Sequence, residues 1–246
     1  MKYSFVAEIK KHENRGIALG SKRFFKTEKG SYGYGDLFLG VKSGILRKIA
    51  KTYFNRLTFD DIKFLLVSEY HEIRLCTLMV LVLKYKKTLL SDVQNKRQIF
   101  YLYLDNADYI NNWDLVDISA AHIVGDFLFN YEIECAEDIL LGLANTNHLW
   151  KQRISIVSTH YFIKQKHIDL TLKLALKFLS HKHDLIHKSV GWMLREVGKI
   201  DEVSLMKFLT ENAKYMPRTM LRYAIEKFDE NKRKLFLAVK YQPLSL

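Results

Sequence analysis

Apolar residues along this chain recur every three or four positions and rarely alternate. Phe59, Ile62, Leu65 and Leu66 form one such run, and Leu75, Leu78, Met79 and Val82 form the next. That is the period of a helix with one buried face. Asp60 and Asp61 open the first run, where carboxylates oppose the positive end of a helix dipole. Proline, which would interrupt such runs, occurs only as Pro217 and Pro243. Antiparallel pairs can be read at roughly 88–130, 136–167, 170–200 and 203–229, each a short helix followed by a second one.

Five of the apolar runs open with a charged residue in the same place. They are Arg74 before Leu75-Cys76-Thr77-Leu78, Asp117 before Ile118-Ser119-Ala120-Ala121, and Arg153 before Ile154-Ser155-Ile156-Val157. Lys188 before Ser189-Val190-Gly191-Trp192 and Arg218 before Thr219-Met220-Leu221-Arg222 complete the series. The steps are 43, 36, 35 and 30 residues, the spacing of helical-pair repeats. The pattern predicts an all-α superhelical solenoid of HEAT-like antiparallel helical pairs, one domain over 1–246. Residues 1–55 serve as an N-terminal cap and 56–246 as repeats. Stacking would place the five charges in a row reading base, acid, base, base, base. A lone carboxylate in a basic stripe marks a candidate for chemistry.

Charge adds to this picture. Lys and Arg number 39 against 27 Asp and Glu, giving +12 and a pI near 9.5. Such an excess, spread through the chain, favours a polyanionic partner over a merely solvated surface. Cys76 and Cys135 lie in apolar stretches with no ligand spacing around them, which predicts buried thiols in a reducing compartment. The segment Met1–Arg15 is broken by Lys2, Glu8, Lys10 and Lys11 and lacks the apolar core of a signal peptide. The longest apolar run, Leu75–Leu83, is too short to span a bilayer. A cytoplasmic monomer with no membrane association is the expectation.

The only glycine-rich stretch is Gly30-Ser31-Tyr32-Gly33-Tyr34-Gly35-Asp36, preceded by Lys22, Arg23, Phe24, Phe25 and Lys26. Bases interleaved with aromatics can hold a nucleic-acid strand, and exposed amides can cradle a phosphate. An ordinary flexible turn between two helices is the competing reading. The stretch is not a nucleotide-binding loop, because no lysine-serine pair immediately follows its glycines.

The acidic member of the series lies in Trp113-Asp114-Leu115-Val116-Asp117, where Trp113 and Asp117 share a helical face and Asn112 or Asp114 would cap the helix. One repeat on is Leu149-Trp150-Lys151-Gln152-Arg153, and one further is Gly191-Trp192-Met193-Leu194-Arg195-Glu196, with Trp192 four residues after Lys188. In their order and spacing these segments resemble the DNA alkylation repair family of HEAT-like DNA glycosylases. The resemblance runs from Phe24-Phe25-Lys26 to Met216-Pro217-Arg218-Thr219. It implies excision of cationic N3- or N7-alkylated purines from double-stranded DNA in base excision repair, a hydrolase reaction without metal or organic cofactor. It gives catalytic roles to Trp113, Asp117, Arg153 and Trp192. Lys26, Tyr32, Arg74, Lys188, Arg218 and Thr219 are the expected DNA-binding residues.

The chemistry suits these residue types. A purine alkylated at N3 or N7 leaves as a neutral base, so no general acid is needed. Positive charge then develops on the deoxyribose, which Asp117 can stabilise while orienting a water. The faces of Trp113 and Trp192 can add cation–π attraction, and Arg153 can hold the neighbouring phosphate. Two other readings compete: a non-catalytic binder of damaged or branched DNA, and a protein-binding scaffold. Arg195 and Glu196 read as a structural pair, His183 and His187 as too few ligands for a metal, and Tyr101, Tyr103 and Tyr109 as interhelical packing.

Overall fold

The computed structural model describes residues 1–242; Pro243 lies outside them. Nearly all regular structure is helical, and the described residues contain no strand, only an isolated parallel bridge between Leu37 and Tyr70. The chain divides into two compact units, Met1–Phe127 and Leu128–Leu246.

The first unit holds α1 (Lys2–Lys10), α2 (Arg15–Phe24), α3 (Ser43–Tyr53), α4 (Phe59–Leu66), α5 (His71–Lys87), α6 (Val93–Asp105) and the short α7 (Trp113–Asp117). A π-helical turn over Ala121–Gly125 leads into α8 (Asp126–Tyr131), which crosses the boundary. The helix expected at Asp60 and Asp61 is present. Thr58 caps it, with Asp61 N donating to Thr58 Oγ1 at 3.1 Å and Thr58 N donating to the Asp61 carboxylate at 3.3 Å. Helix α5 packs against α3 and α4 and is buried continuously from His71 to Leu78. A helix covered on all sides is the core of its unit.

The second unit contains α9 (Ala136–Ala144), α10 (Leu149–Lys164), α11 (Asp169–Lys177), α12 (Asp184–Ile200), α13 (Glu202–Asn212), α14 (Arg218–Ala224) and α15 (Glu230–Ala238). These are the pairs that the sequence marks at 136–167, 170–200 and 203–229. Helix α12 packs on both α10 and α14. Small polar residues permit such close approach without orphaned groups. Ser155, Ser158, Thr159 and Ser189 are buried, and each hydroxyl donates to a carbonyl of the preceding turn.

Two expectations about side chains need correction. Cys76 is buried, and burial pushes its thiol up to about 12. Cys135, however, is exposed, because it ends a short 3-10 turn (Ile133–Cys135) rather than lying inside a helix. Of the three tyrosines read as packing, only Tyr103 is buried, bonded to Ser119 at 3.0 Å. Tyr101 and Tyr109 are on the surface.

Candidate functional site

Helix α7 is five residues long and too short to hold itself in place. Asn112 begins it as the sequence suggests, buried, with its side-chain oxygen accepting from Trp113 N at 2.8 Å. Trp113 and Asp117 are both half-buried. The Trp113 ring lies against Phe24 and Phe25, at centroid distances of 5.8 and 5.5 Å. Phe24 is 64% exposed, so this unit carries an aromatic edge open to solvent beside the tryptophan.

Beneath that edge lies a charged cluster that the sequence did not disclose. His71, the first residue of α5, is 2% exposed. Its Nε2 stands 2.8 Å from Asp114 Oδ2, and its Nδ1 stands 3.6 Å from Asp36 Oδ2. The second distance is too long for a hydrogen bond, so Asp36 acts on the ring as a close charge. Burial opposes the imidazolium, but the two carboxylates outweigh it and raise the His71 pKa to about 9. Asp36 is buried too. Desolvation opposes its charge, yet His71 and Arg74 hold its carboxyl below the usual range.

Arg74 is accordingly not a member of an exposed row. It is 3% exposed, and its guanidinium donates to Asp36 Oδ1 (2.7 Å), Ser68 O (2.7 Å) and Asn111 Oδ1 (3.0 Å). An arginine on the first turn of a buried helix meets the carbonyls and carboxylates of the segments entering that turn, and they take it inward. Asp114 is likewise more than a helix-start residue, since it is the partner of His71.

The glycine-rich stretch is a sequence of tight turns folded back onto the end of α2. Gly33 N donates to Lys26 O, and a Cβ on Gly33 would sit 2.3 Å from Phe25 O, so only glycine fits there. The turns deliver Asp36 into the buried cluster. Lys26 is exposed and holds a left-handed backbone (φ 53°), and Tyr32 is half-buried.

In the second unit, Arg153 is 4% exposed and Nη1 donates to Leu185 O in the first turn of α12. Trp192 is half-buried. Its indole N–H donates to Glu196 Oε1 at 3.2 Å, and its ring lies 5.6 Å from His160. Glu196 also pairs with Arg195 and Lys199, in keeping with the structural reading of Arg195 and Glu196. Lys188 pairs with Asp184 at 2.7 Å and keeps its side chain 38% exposed. Thr219 also bonds Asp184. Arg218 closes on the carbonyls of Leu237 and Val239. The series is therefore not a uniform exposed stripe: Arg74 and Arg153 are buried, and Arg218 is bonded to backbone at the end of α15.

His183 Nδ1 accepts from Leu185 N, and His187 Nε2 lies on His181 O. Among the described residues no group of three potential ligands is placed to hold a metal, and no helix is long and apolar enough to cross a membrane.

Residues 5–228 match the family described as DNA alkylation repair enzyme, and the chain belongs to that family. No curated protein matches it. Among solved structures it is similar to one described as a predicted DNA alkylation repair enzyme from Enterococcus faecalis. The two are 13% identical with a TM-score of 0.68, over 89% of this chain and 98% of that one. At that identity the likeness is one of fold, and it agrees with the all-α helical-pair architecture expected from the sequence. Family membership assigns the chain to the repair of alkylated DNA.

Proposed function

We propose that the protein is a DNA glycosylase that releases cationic N3- and N7-alkylated purines from duplex DNA. The observation that carries this reading is α7, where a half-buried tryptophan and a half-buried aspartate stand four residues apart on a helix held from outside. Loss of a neutral alkylpurine leaves an oxocarbenium-like sugar. Asp117 offsets that charge and orients the attacking water, and the faces of Trp113 and Trp192 attract the developing cation. The family resemblance alone assigns Arg153 the phosphate beside the lesion, since its side chain is buried and donates to Leu185 O. Lys26, Tyr32, Lys188 and Thr219 are assigned to the DNA backbone. Arg218 contributes there less directly, because it holds the carbonyls of the C-terminal helix. Phe24, exposed against Trp113, is the cap aromatic best placed to meet DNA.

The test is release of 3-methyladenine and 7-methylguanine from methylated duplex under single-turnover conditions. Release by the parent and its loss in Asp117→Asn support the reading. Duplex binding without release by the parent would leave only a non-catalytic binder.

A further inference from the structure

A helix of five residues takes its position from whatever grips its ends. For α7 the grip at the start is Asp114, whose Oδ2 meets His71 Nε2 at 2.8 Å. His71 reaches α7 by a second route as well. Its ring lies 4.8 Å from Phe25 and 4.9 Å, stacked, from Phe38, and Phe25 is the ring against which Trp113 rests. One side chain thus touches both the carboxylate that opens α7 and the platform under its tryptophan.

The charges around His71 are balanced. Asp36 and Asp114 face it with two negative charges, and Arg74 on its own helix supplies the second positive one. Glu72, the other charged neighbour on α5, is turned to the amides of Leu39 and Gly40. Removing the proton from His71 would leave a net negative charge in a buried site, a costly arrangement that separation of Asp114 from the cluster would relieve.

We propose that His71 is a positioning residue: bridging Asp36 and Asp114, it fixes where α7 presents Trp113 and Asp117. This rests on the glycosylase reading for its consequence in catalysis, though not for its geometry. Misplacement of a reacting group by about 1 Å costs on the order of 10²-fold in rate. His71→Gln keeps a donor of similar reach for Asp114 and removes the charge. It should lower single-turnover release of 7-methylguanine by about that factor while leaving duplex affinity within about twofold, since the cluster is buried and Arg74, expected at the DNA, is turned inward with it.

A second measurement is independent of activity. Protein labelled with 5-fluorotryptophan gives a resonance for Trp113, assigned by its loss in Trp113→Phe. In the parent that resonance should move with a midpoint near pH 9, where His71 gives up its proton. In His71→Gln the movement should vanish. Because the parent alone supplies the titration, poor folding of the variant does not blunt the test. If the parent releases no base, the glycosylase reading fails by itself, and the Trp113 titration still upholds or overturns the positioning role. A Trp113 resonance that does not move through pH 9 would overturn it. So would a His71→Gln protein that is less heat-stable yet excises at the parent rate, because His71 would then serve only the fold.

Discussion

The Trp192 indole N–H donates to Glu196 Oε1 one turn further along α12. Glu196 is itself held by Arg195 and Lys199, so the edge of the indole is pinned by a carboxylate that is already ion-paired. A ring fixed by its edge leaves a π face for another partner, and cation–π attraction to such a face is worth about 0.5–2 kcal/mol.

Trp192→Ala should therefore slow single-turnover excision about 2- to 30-fold, the range that attraction sets, with a smaller effect on duplex affinity. Trp192→Phe keeps a face and loses the N–H, and should fall between the two. A Trp192→Ala protein that unfolds earlier but excises at the parent rate would make this side chain a packing residue.

Neighbouring Gly191 serves a different end. A Cβ at its position would sit 2.4 Å from Met220 O and 2.5 Å from Tyr223 Cβ, so α12 and α14 meet backbone to side at this point. Gly191→Ala should cost about 1–3 kcal/mol through overpacking. Chemical denaturation should show a lower midpoint with an unchanged slope.

His71 and Asp114 give stability a defined pH dependence. The His71 pKa rises from 6.5 to about 9 on folding. Its contribution is thus fully present below pH 6.5 and is lost as pH rises through about 9. The parent should lose on the order of a few kcal/mol across that window. Asp114→Asn removes the stronger of the two carboxylate contacts. It should lower stability at pH 7 and flatten the pH response, read by thermal unfolding at a series of pH values.

These residues also show what the sequence could convey. Helical periodicity located the pairs, because burial of one face repeats in the letters themselves. The helix start at Asp60 and Asp61 and a cap at Asn112 or Asp114 were legible as well, because such signals lie within three residues of the helix they open. Asp36, His71 and Arg74 were not, because their meeting depends on a contact between segments more than thirty residues apart. A visible hint was the density of charge at His71-Glu72-Ile73-Arg74, immediately before an apolar run. Three ionisable groups at the mouth of a buried helix require partners. Reading Arg74 by its place in a series, rather than by that need, put it on the surface.

Salt dependence separates the buried bases from the exposed ones. Each phosphate contact contributes about −0.9 to the slope of log binding constant against log salt. Lys26→Ala and Lys188→Ala should each reduce that slope by about one contact. Arg74→Met should leave it unchanged and instead destabilise the fold by about 3–5 kcal/mol, since it strands Asp36 without its guanidinium. A reduced slope in folded Arg74→Met would return Arg74 to the DNA surface.

Asp117→Asn carries the greatest weight for the reaction. The substitution keeps size and hydrogen-bonding capacity and removes the charge that would offset the sugar cation. Losing one preorganised electrostatic group costs about 10²–10³ in rate. Duplex affinity should stay equal or improve slightly, because a carboxylate near phosphates repels them. Asp114→Asn is an unsuitable control, since Asp114 holds His71. Asp105→Asn, exposed at the end of α6, is the better one and should change neither rate nor stability. The measurement is single-turnover release of 7-methylguanine from both variants beside the parent. An Asp117→Asn protein that matches the parent would remove the carboxylate from the mechanism, and with it the reason for placing the chemistry on α7.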